Sequence, residues 1–236
     1  MLFLRSIFFN IIFFLIMAVA FVVSYPLRLA KNESKYVFMF WHCLSLTLGF
    51  ITAKIGGIKF VTENENNILK EPAIYAIRHE STWETLMLIS KFREPIFLLK
   101  KELLDIPFFG MLSKKAGTIA IDRDNGTRSL IGVLEKVENA IKNGHPVIIF
   151  PEGTRMPHGV YVPLKRGISL FYKKANCAVV PVIHNAGRFW PRRGFIKKPG
   201  VVTVKILEPI APGLSKDVFM DKLNQTFSTE IEKLKG

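Results

Sequence analysis

Cysteine is nearly absent from this chain. Cys43 and Cys177 are the only two; they lack metal-ligand spacing and stand among apolar neighbours. A disulfide framework or a cysteine-built metal site is therefore excluded, and both read as reduced core residues. Repeats and low-complexity tracts are also missing, which excludes a solenoid or an array. No Gly-x-Ser-x-Gly elbow occurs, so any attacking hydroxyl belongs to a substrate rather than to the protein. Acidic residues are scarce: 19 Asp and Glu against 33 Lys and Arg give a formal charge of +14 over 236 residues. Such a chain attracts an anionic partner. That is either a lipid surface, where each nearby Lys or Arg adds about 1 kcal/mol, or a nucleic acid.

Apolar residues make up 49% of the sequence, and the excess lies at one end. Residues 7–23 are almost unbroken hydrocarbon, interrupted by Asn10, and a second apolar segment follows at 36–53. Arg5 ahead of the first run and Ala18-Val19-Ala20 near its end resemble a signal peptide. The run is longer than most such cores and the second segment follows at once, so retention is expected rather than cleavage. Two full crossings would put Arg28, Lys31 and Lys35 on the far side, against the positive-inside tendency. A hairpin that dips into one leaflet or lies along it keeps those cations with the headgroups and the rest of the chain on the cytoplasmic side. The bland alternative is two ordinary core helices, but neither segment has a polar face of normal width. The expected division is a membrane-anchoring helical segment over 1–56 and a globular domain over 57–236. The anchor carries Arg5, Arg28, Lys31, Lys35 and Lys54 against Glu33, a net +4, leaving +10 for the domain.

From Gly56 onward, strands and helices alternate. Runs at 58–61, 73–78, 96–99, 117–121, 147–150, 178–183 and 201–207 are strand-like. Helical spacing opens near Ser81 and recurs at 128–142, at 167–174, and in a terminal stripe of Phe219, Leu223, Phe227, Ile231 and Leu234. The expected fold class is α/β, with a largely parallel or mixed central sheet flanked by helices and an N-terminal membrane-associated helical hairpin. The strand at 147–150 is the least polar and should be central. Residues 104–110, apolar and broken by Pro107 and Gly110, form either a core loop or the wall of an apolar pocket. Three strands end in charge, at Arg78-His79, Lys100-Lys101 and Glu152 to Arg155. Parallel strands would bring these ends to one edge, where α/β proteins place chemistry.

His79 and Glu84 stand at a strand-to-helix corner, five positions apart. If the chain turns there, the carboxylate holds one imidazole nitrogen protonated and frees the other to take a proton from a hydroxyl. The competing reading makes Ser81-x-x-Glu84 a capping box that only satisfies the first amides of the helix. The helix dipole would lower the histidine's pKa and the carboxylate would raise it. The turn Pro151-Glu152-Gly153-Thr154-Arg155 offers backbone amides around Gly153, a hydroxyl and a guanidinium, an anion cradle suited to a phosphate monoester. Lys100 and Arg123 could supplement it from neighbouring strands. Singly, each of these cations also reads as a solvated loop charge.

Taken together the motifs resemble a family. His79-x4-Glu84, Lys100-Lys101-Glu102-Leu103 through Ile106-Pro107-Phe108-Phe109-Gly110, Ile121-Asp122-Arg123, Phe150-Pro151-Glu152-Gly153-Thr154-Arg155 and Val179-Val180-Pro181-Val182 stand in the order and approximate spacing of the acyltransferase blocks. Over roughly residues 57–210 the chain resembles bacterial lysophosphatidate acyltransferases (1-acylglycerol-3-phosphate acyltransferases). The resemblance implies that His79 is the general base, that Glu84 orients it, and that Lys100, Arg123, Gly153, Thr154 and Arg155 hold the acceptor phosphate. It implies that Glu152 belongs to the same phosphate-binding block and supports its loop. Most of the family has Asp where this chain has Glu84; members with a similar Ser-Thr-Trp-Glu-Thr run share the Glu. The implied partners are lysophosphatidate, an acyl-CoA or acyl-carrier-protein co-substrate, and the phospholipid bilayer, with no metal, no other cofactor and no nucleic acid. The implied location is the cytoplasmic face of a bacterial inner membrane. An acyltransferase with another acceptor, such as glycerol-3-phosphate or another lysophospholipid, and a membrane-tethered nucleic-acid-binding protein are the alternatives.

Overall fold

A computed structural model describes residues 1–28, 34–122 and 126–235. Three residues named above, Lys31, Glu33 and Arg123, lie outside the described residues. The chain begins with two long helices, α1 (Leu2–Val23) and α2 (Ser34–Lys54), and continues into β1 (Ile58–Glu63), β2 (Ile74–Ile77), α3 (Trp83–Met87) and β3 (Ile96–Lys100). Then come α4 (Phe109–Lys115), β4 (Ile119–Ile121), α5 (Gly126–Lys142), β5 (Val147–Ile149) and α6 (Gly167–Ala175). The last elements are β6 (Val179–His184), α7 (Ala186–Phe189), β7 (Gly200–Ile206) and α8 (Lys216–Lys233).

The strands form one seven-stranded sheet in the order β1-β7-β6-β2-β5-β3-β4. All pairs are parallel except β6 with β7. The sheet is thus mixed and largely parallel, and β5 is interior, one place from the middle. Because β2, β5 and β3 are parallel neighbours, the three charged strand ends do share one edge. The antiparallel turn from β6 to β7 has a second effect: their connection, residues 185–199, crosses that same edge.

Both faces of the sheet are covered, which explains strands that are apolar at every position. Successive side chains point to opposite faces. Tyr75, Ile77, Ile148, Val180 and Val182 join one core with the N-terminal helices, while Ile74, Ala76, Val147, Ile149, Val179 and Ile183 join the other with α5, α6 and α8. The terminal helix buries Phe219, Leu223, Phe227 and Ile231 as its spacing predicts. Its N-cap is Ser215, whose Oγ accepts from Val218 N, supplying a helix-end amide with a partner. The edge strand β1 presents Lys59 and Glu63, charges that discourage pairing with another chain.

Helices α1 and α2 form a layer of this fold. Phe9, Val37 and Leu48 are essentially fully buried against it, each contributing about 1.5–3 kcal/mol of burial. Gly56 permits the close approach, since a Cβ there would meet Thr52 O at 2.7 Å and the Phe9 ring at 3.2 Å. The outer faces are different: Phe8, Ile11, Phe14, Leu15, Val19 and Val22 of α1 are exposed, as are Met39, Leu46 and Phe50 of α2. By length and composition both helices, Leu2–Val23 and Lys35–Lys54, could cross a membrane. Cys43 departs from the sequence expectation. It lies exposed on α2, because an apolar helix with one packed face turns some apolar residues outward, whereas Cys177 is buried and its thiol is pushed up to about 11 by burial.

Candidate active site

Strand β2 ends where Arg78 N donates to Val182 O, and the next residue, His79, leaves the sheet. The backbone of His79 is held from the β5 side: its carbonyl accepts from Met156 N at 2.7 Å and its N–H donates to Glu152 Oε1 at 3.4 Å. Its ring stacks on Phe150, with centroids 4.1 Å apart and planes 22° apart. His79 Nδ1 lies 2.7 Å from Glu84 Oε1. Glu84 is buried and also accepts from Glu80 N at 3.2 Å and from Ser81 N at 3.0 Å on each oxygen. The Glu84 carboxylate thus makes the contacts of both sequence readings, although neither role is exclusive. One carboxylate satisfies the amides ahead of α3 and orients the histidine, while Ser81 Oγ accepts from Trp83 N.

The ionised carboxylate only accepts, so Nδ1 carries the proton and Nε2 presents a lone pair, the form a general base requires. Burial lowers the His79 pKa; the hydrogen bond and charge of Glu84 oppose it, and Arg155 and His184 lower it further. The net direction is down, which keeps the imidazole neutral near pH 7. Burial, rather than the dipole of the five-residue α3, is the largest cause. His184, at the end of β6, donates from Nε2 to Arg78 O at 2.7 Å and accepts from Ala186 N at Nδ1. Those two bonds fix the orientation of its ring, with Nε2 3.9 Å from Glu84 Oε2.

Beneath the dyad lies a buried ionic knot. Arg78 is fully buried, with Nε on Glu80, Nη1 on Glu152 Oε1 at 3.0 Å and Nη2 on the carbonyls of Pro157 and Val160. It ties β2 to the loop after β5. One guanidinium serves two carboxylates. Glu80 has further support from Gly187 N at 3.0 Å and from His158, and its pKa is lowered despite burial. Glu152 has a buried Oε2 without a partner, and burial pushes its carboxyl up to about 7 against the pull of Arg78.

The anion cradle is partly as expected. Gly153 takes a φ of +74° and its N–H donates to Phe150 O, so that amide closes the turn rather than facing a ligand. Glu152 is turned to Arg78 and holds the loop. Thr154 is exposed and Arg155 half-buried, its Nε buried without a partner. Arg155 lies close enough for its charge to act on both members of the dyad, as their mutual influence on pKa shows. Lys100 ends β3 and pairs with Glu102 at 2.7 Å. Sequence reasoning missed Arg78 and Glu80, since charged residues flanking a strand are normally exposed. It also missed His184, whose only signal is a polar residue ending an apolar strand. Among the described residues no group of three or more His, Cys, Asp or Glu could hold a metal ion.

An apolar pocket lies between α2, α3, β3 and α4. Phe38, Trp41, Leu86, Ile89, Phe97 and Phe109 line it. Of the segment 104–110, expected as either a core loop or a pocket wall, Phe109 lines this pocket and packs edge-on against Trp41.

Among known proteins, the acyltransferase family matches residues 59–185. A 1-acyl-sn-glycerol-3-phosphate acyltransferase of Pseudomonas aeruginosa is 39% identical over 158 residues, covering 66% of this chain and 61% of that protein. One from Saccharomyces cerevisiae is 28% identical over 202 residues, 83% of this chain and 64% of that protein. The chain thus covers less than two thirds of these curated relatives. The crystal structure of the 1-acyl-sn-glycerophosphate (LPA) acyltransferase PlsC from Thermotoga maritima matches with a TM-score of 0.80 at 22% identity, over 100% of both chains. At that identity the likeness establishes a shared fold.

Proposed function

This chain belongs to the acyltransferase family, and from that premise we propose that it transfers a fatty acyl group from acyl-CoA or acyl-carrier-protein to the free hydroxyl of lysophosphatidate, giving phosphatidate. The observation that carries the reading is the 2.7 Å His79–Glu84 contact, which leaves Nε2 as a base beside the Arg155 guanidinium. His79 Nε2 takes the proton of the acceptor hydroxyl as its oxygen attacks the thioester carbonyl. Glu84 stabilises the imidazolium that forms. Collapse of the tetrahedral adduct breaks the carbon–sulfur bond, and the imidazolium returns its proton to the leaving thiolate. No metal or other cofactor enters this scheme. Arg155 and Thr154 hold the acceptor phosphate, with Lys100 at the end of β3 supplying further positive charge. The apolar pocket takes acyl chain, since Leu86 on its wall stands two residues after Glu84. The names of the relatives favour a 1-acylglycerol-3-phosphate acceptor.

The outer faces of α1 and α2 lie in one leaflet of the bacterial inner membrane, on its cytoplasmic side. Full crossing would strip Phe9, Val37 and Leu48 from the sheet, whereas lying in the interface buries the exposed apolar face and keeps that packing. The test is thiol release from palmitoyl-CoA by membranes containing the protein, with and without lysophosphatidate, beside His79→Ala. The expected result is release that depends on both. Release that ignores lysophosphatidate would reject the acceptor, and release unaffected by His79→Ala would reject the base.

A further inference from the structure

We infer that Arg192 is a second anion-binding residue of this site, closing with Arg155 on the phosphate of the acceptor; the inference rests on the function proposed above. Arg192 belongs to the basic loop between β6 and β7, which the antiparallel turn carries across the carboxyl edge of the parallel strands. That loop is anchored. Ser81 Oγ, three residues ahead of Glu84, donates to Trp190 O at 2.5 Å. Trp190 packs edge-on against Phe9 and Phe13 of α1, with centroids at 5.3 and 5.5 Å. On the far side of the loop, Lys197 N donates to Ser6 Oγ at 3.0 Å, and the buried Lys197 Nζ donates to the carbonyls of Gly194 and Phe195.

Between these anchors the chain makes a tight turn, closed by Gly194 N donating to Pro191 O at 2.9 Å. Arg193 takes a φ of +58° at the position of such a turn that favours Gly or Asn. Arg192 occupies the preceding corner and its guanidinium reaches toward the Glu-Gly-Thr-Arg loop, not away from it. Nη1 stands 3.5 Å from Thr154 Oγ1 and 3.4 Å from Arg155 O, two long bonds that, among the described residues, leave the rest of its donors unspent. No carboxylate among the described residues forms an ion pair with Arg192 or with Arg155. Arg155 also has its Nε buried without a partner, and the two like charges act on one another. Two such guanidiniums side by side are relieved by a shared anion, and phosphate oxygens suit two planar donors at once.

The position selects the acceptor's phosphate over the donor's. In lysophosphatidate the reacting hydroxyl and the phosphate ester occupy adjacent carbons of glycerol, so the phosphate lies close to His79 when the hydroxyl does. The phosphates of an acyl-CoA are separated from its thioester by the whole pantetheine arm.

The test is initial-rate kinetics of the full chain in detergent, with lysophosphatidate and palmitoyl-CoA varied separately, for wild type, Arg192→Gln, Arg192→Lys and Arg155→Gln. Losing a charge-assisted bond to phosphate should raise the acceptor KM of Arg192→Gln about tenfold, leave the donor KM unchanged, and be partly rescued by Lys. An acceptor KM within about twofold of wild type for Arg192→Gln, with a raised one for Arg155→Gln, overturns the inference and leaves the proposed reaction standing. A rise confined to palmitoyl-CoA overturns it in favour of the donor's phosphates. Wild-type thiol release that does not depend on lysophosphatidate removes the reaction and the inference together.

Discussion

Glu84→Gln is the substitution that separates the two duties of this carboxylate. If the amide oxygen keeps the His79 contact it also keeps Ser81 N at 3.0 Å, but the NH2 that replaces Oε2 meets the same Ser81 N–H donor to donor and finds no acceptor there. A buried donor left unsatisfied costs about 1–3 kcal/mol, so the variant should unfold earlier but still fold. Catalysis should suffer more. In the transition state a positive imidazolium faces the carboxylate; for charge centres about 4 Å apart at an effective dielectric of about 20, the attraction is about 4 kcal/mol. At about 1.4 kcal/mol per tenfold, turnover should fall about 1,000-fold with little change in the acceptor KM. Glu84 also raises the His79 pKa through its hydrogen bond and charge, so removing that charge moves the acid limb of the rate profile to lower pH. The assay is thiol release as a function of pH and acceptor, beside thermal unfolding. A kcat within about tenfold of wild type, or an acid limb displaced upward, would refute the assignment of Glu84 to the dyad.

Three further outcomes are expected. In wild type the kcat/KM profile should lose activity only as pH falls through a value below 6.5, the ordinary value from which burial lowers His79. The same lowered pKa means the folded state binds fewer protons than the unfolded chain in that window, so this group's contribution to stability falls as pH drops through 6.5. An acid limb above 6.5 in substrate titrations would contradict it. Arg78→Leu leaves Glu80 and Glu152 without their buried cation and should cost at least about 3–5 kcal/mol, read as loss of folded protein in detergent; a variant as stable as wild type would show that the knot is dispensable. Gly187→Ala places a Cβ 2.9 Å from Glu80 Cβ and Oε2, and such overpacking should cost about 1–3 kcal/mol in a denaturant titration. An unchanged midpoint would mean that α7 can shift freely.

The alternation of strands and helices was readable because each apolar run was bounded by Gly, Pro or charge, and the parallel neighbours β2, β5 and β3 brought the predicted charged ends to one edge. The His79–Glu84 pair and the loop after β5 were readable for a related reason: their chemistry is local in sequence. The Arg78 knot was hidden because its partners beyond the neighbouring Glu80, namely Glu152, Pro157 and Val160, come from the distant loop after β5, and full burial is rare for Arg. Arg192 was seen only as one cation in a basic loop. Its placement depends on the direction of β7, which apolar spacing does not encode. Nor did hydropathy reveal that one face of α1 and α2 belongs to the core, since apolar residues facing lipid and apolar residues facing a sheet read alike.

The pairing of β1 with β7 ties residues 58–63 to residues 200–206. Among the described strands, the first, β1, has its only partner in the last, β7. While the intervening chain is being made, β1 has no neighbour, and the inner face of α1 and α2 has at most part of its sheet. Closure of such long loops comes late in folding. Completion of the sheet therefore awaits emergence of the last strand, and the same event brings the loop bearing Trp190 and Arg192 to the helices. An unfinished chain consequently lacks both its finished edge and the full mouth of its active site.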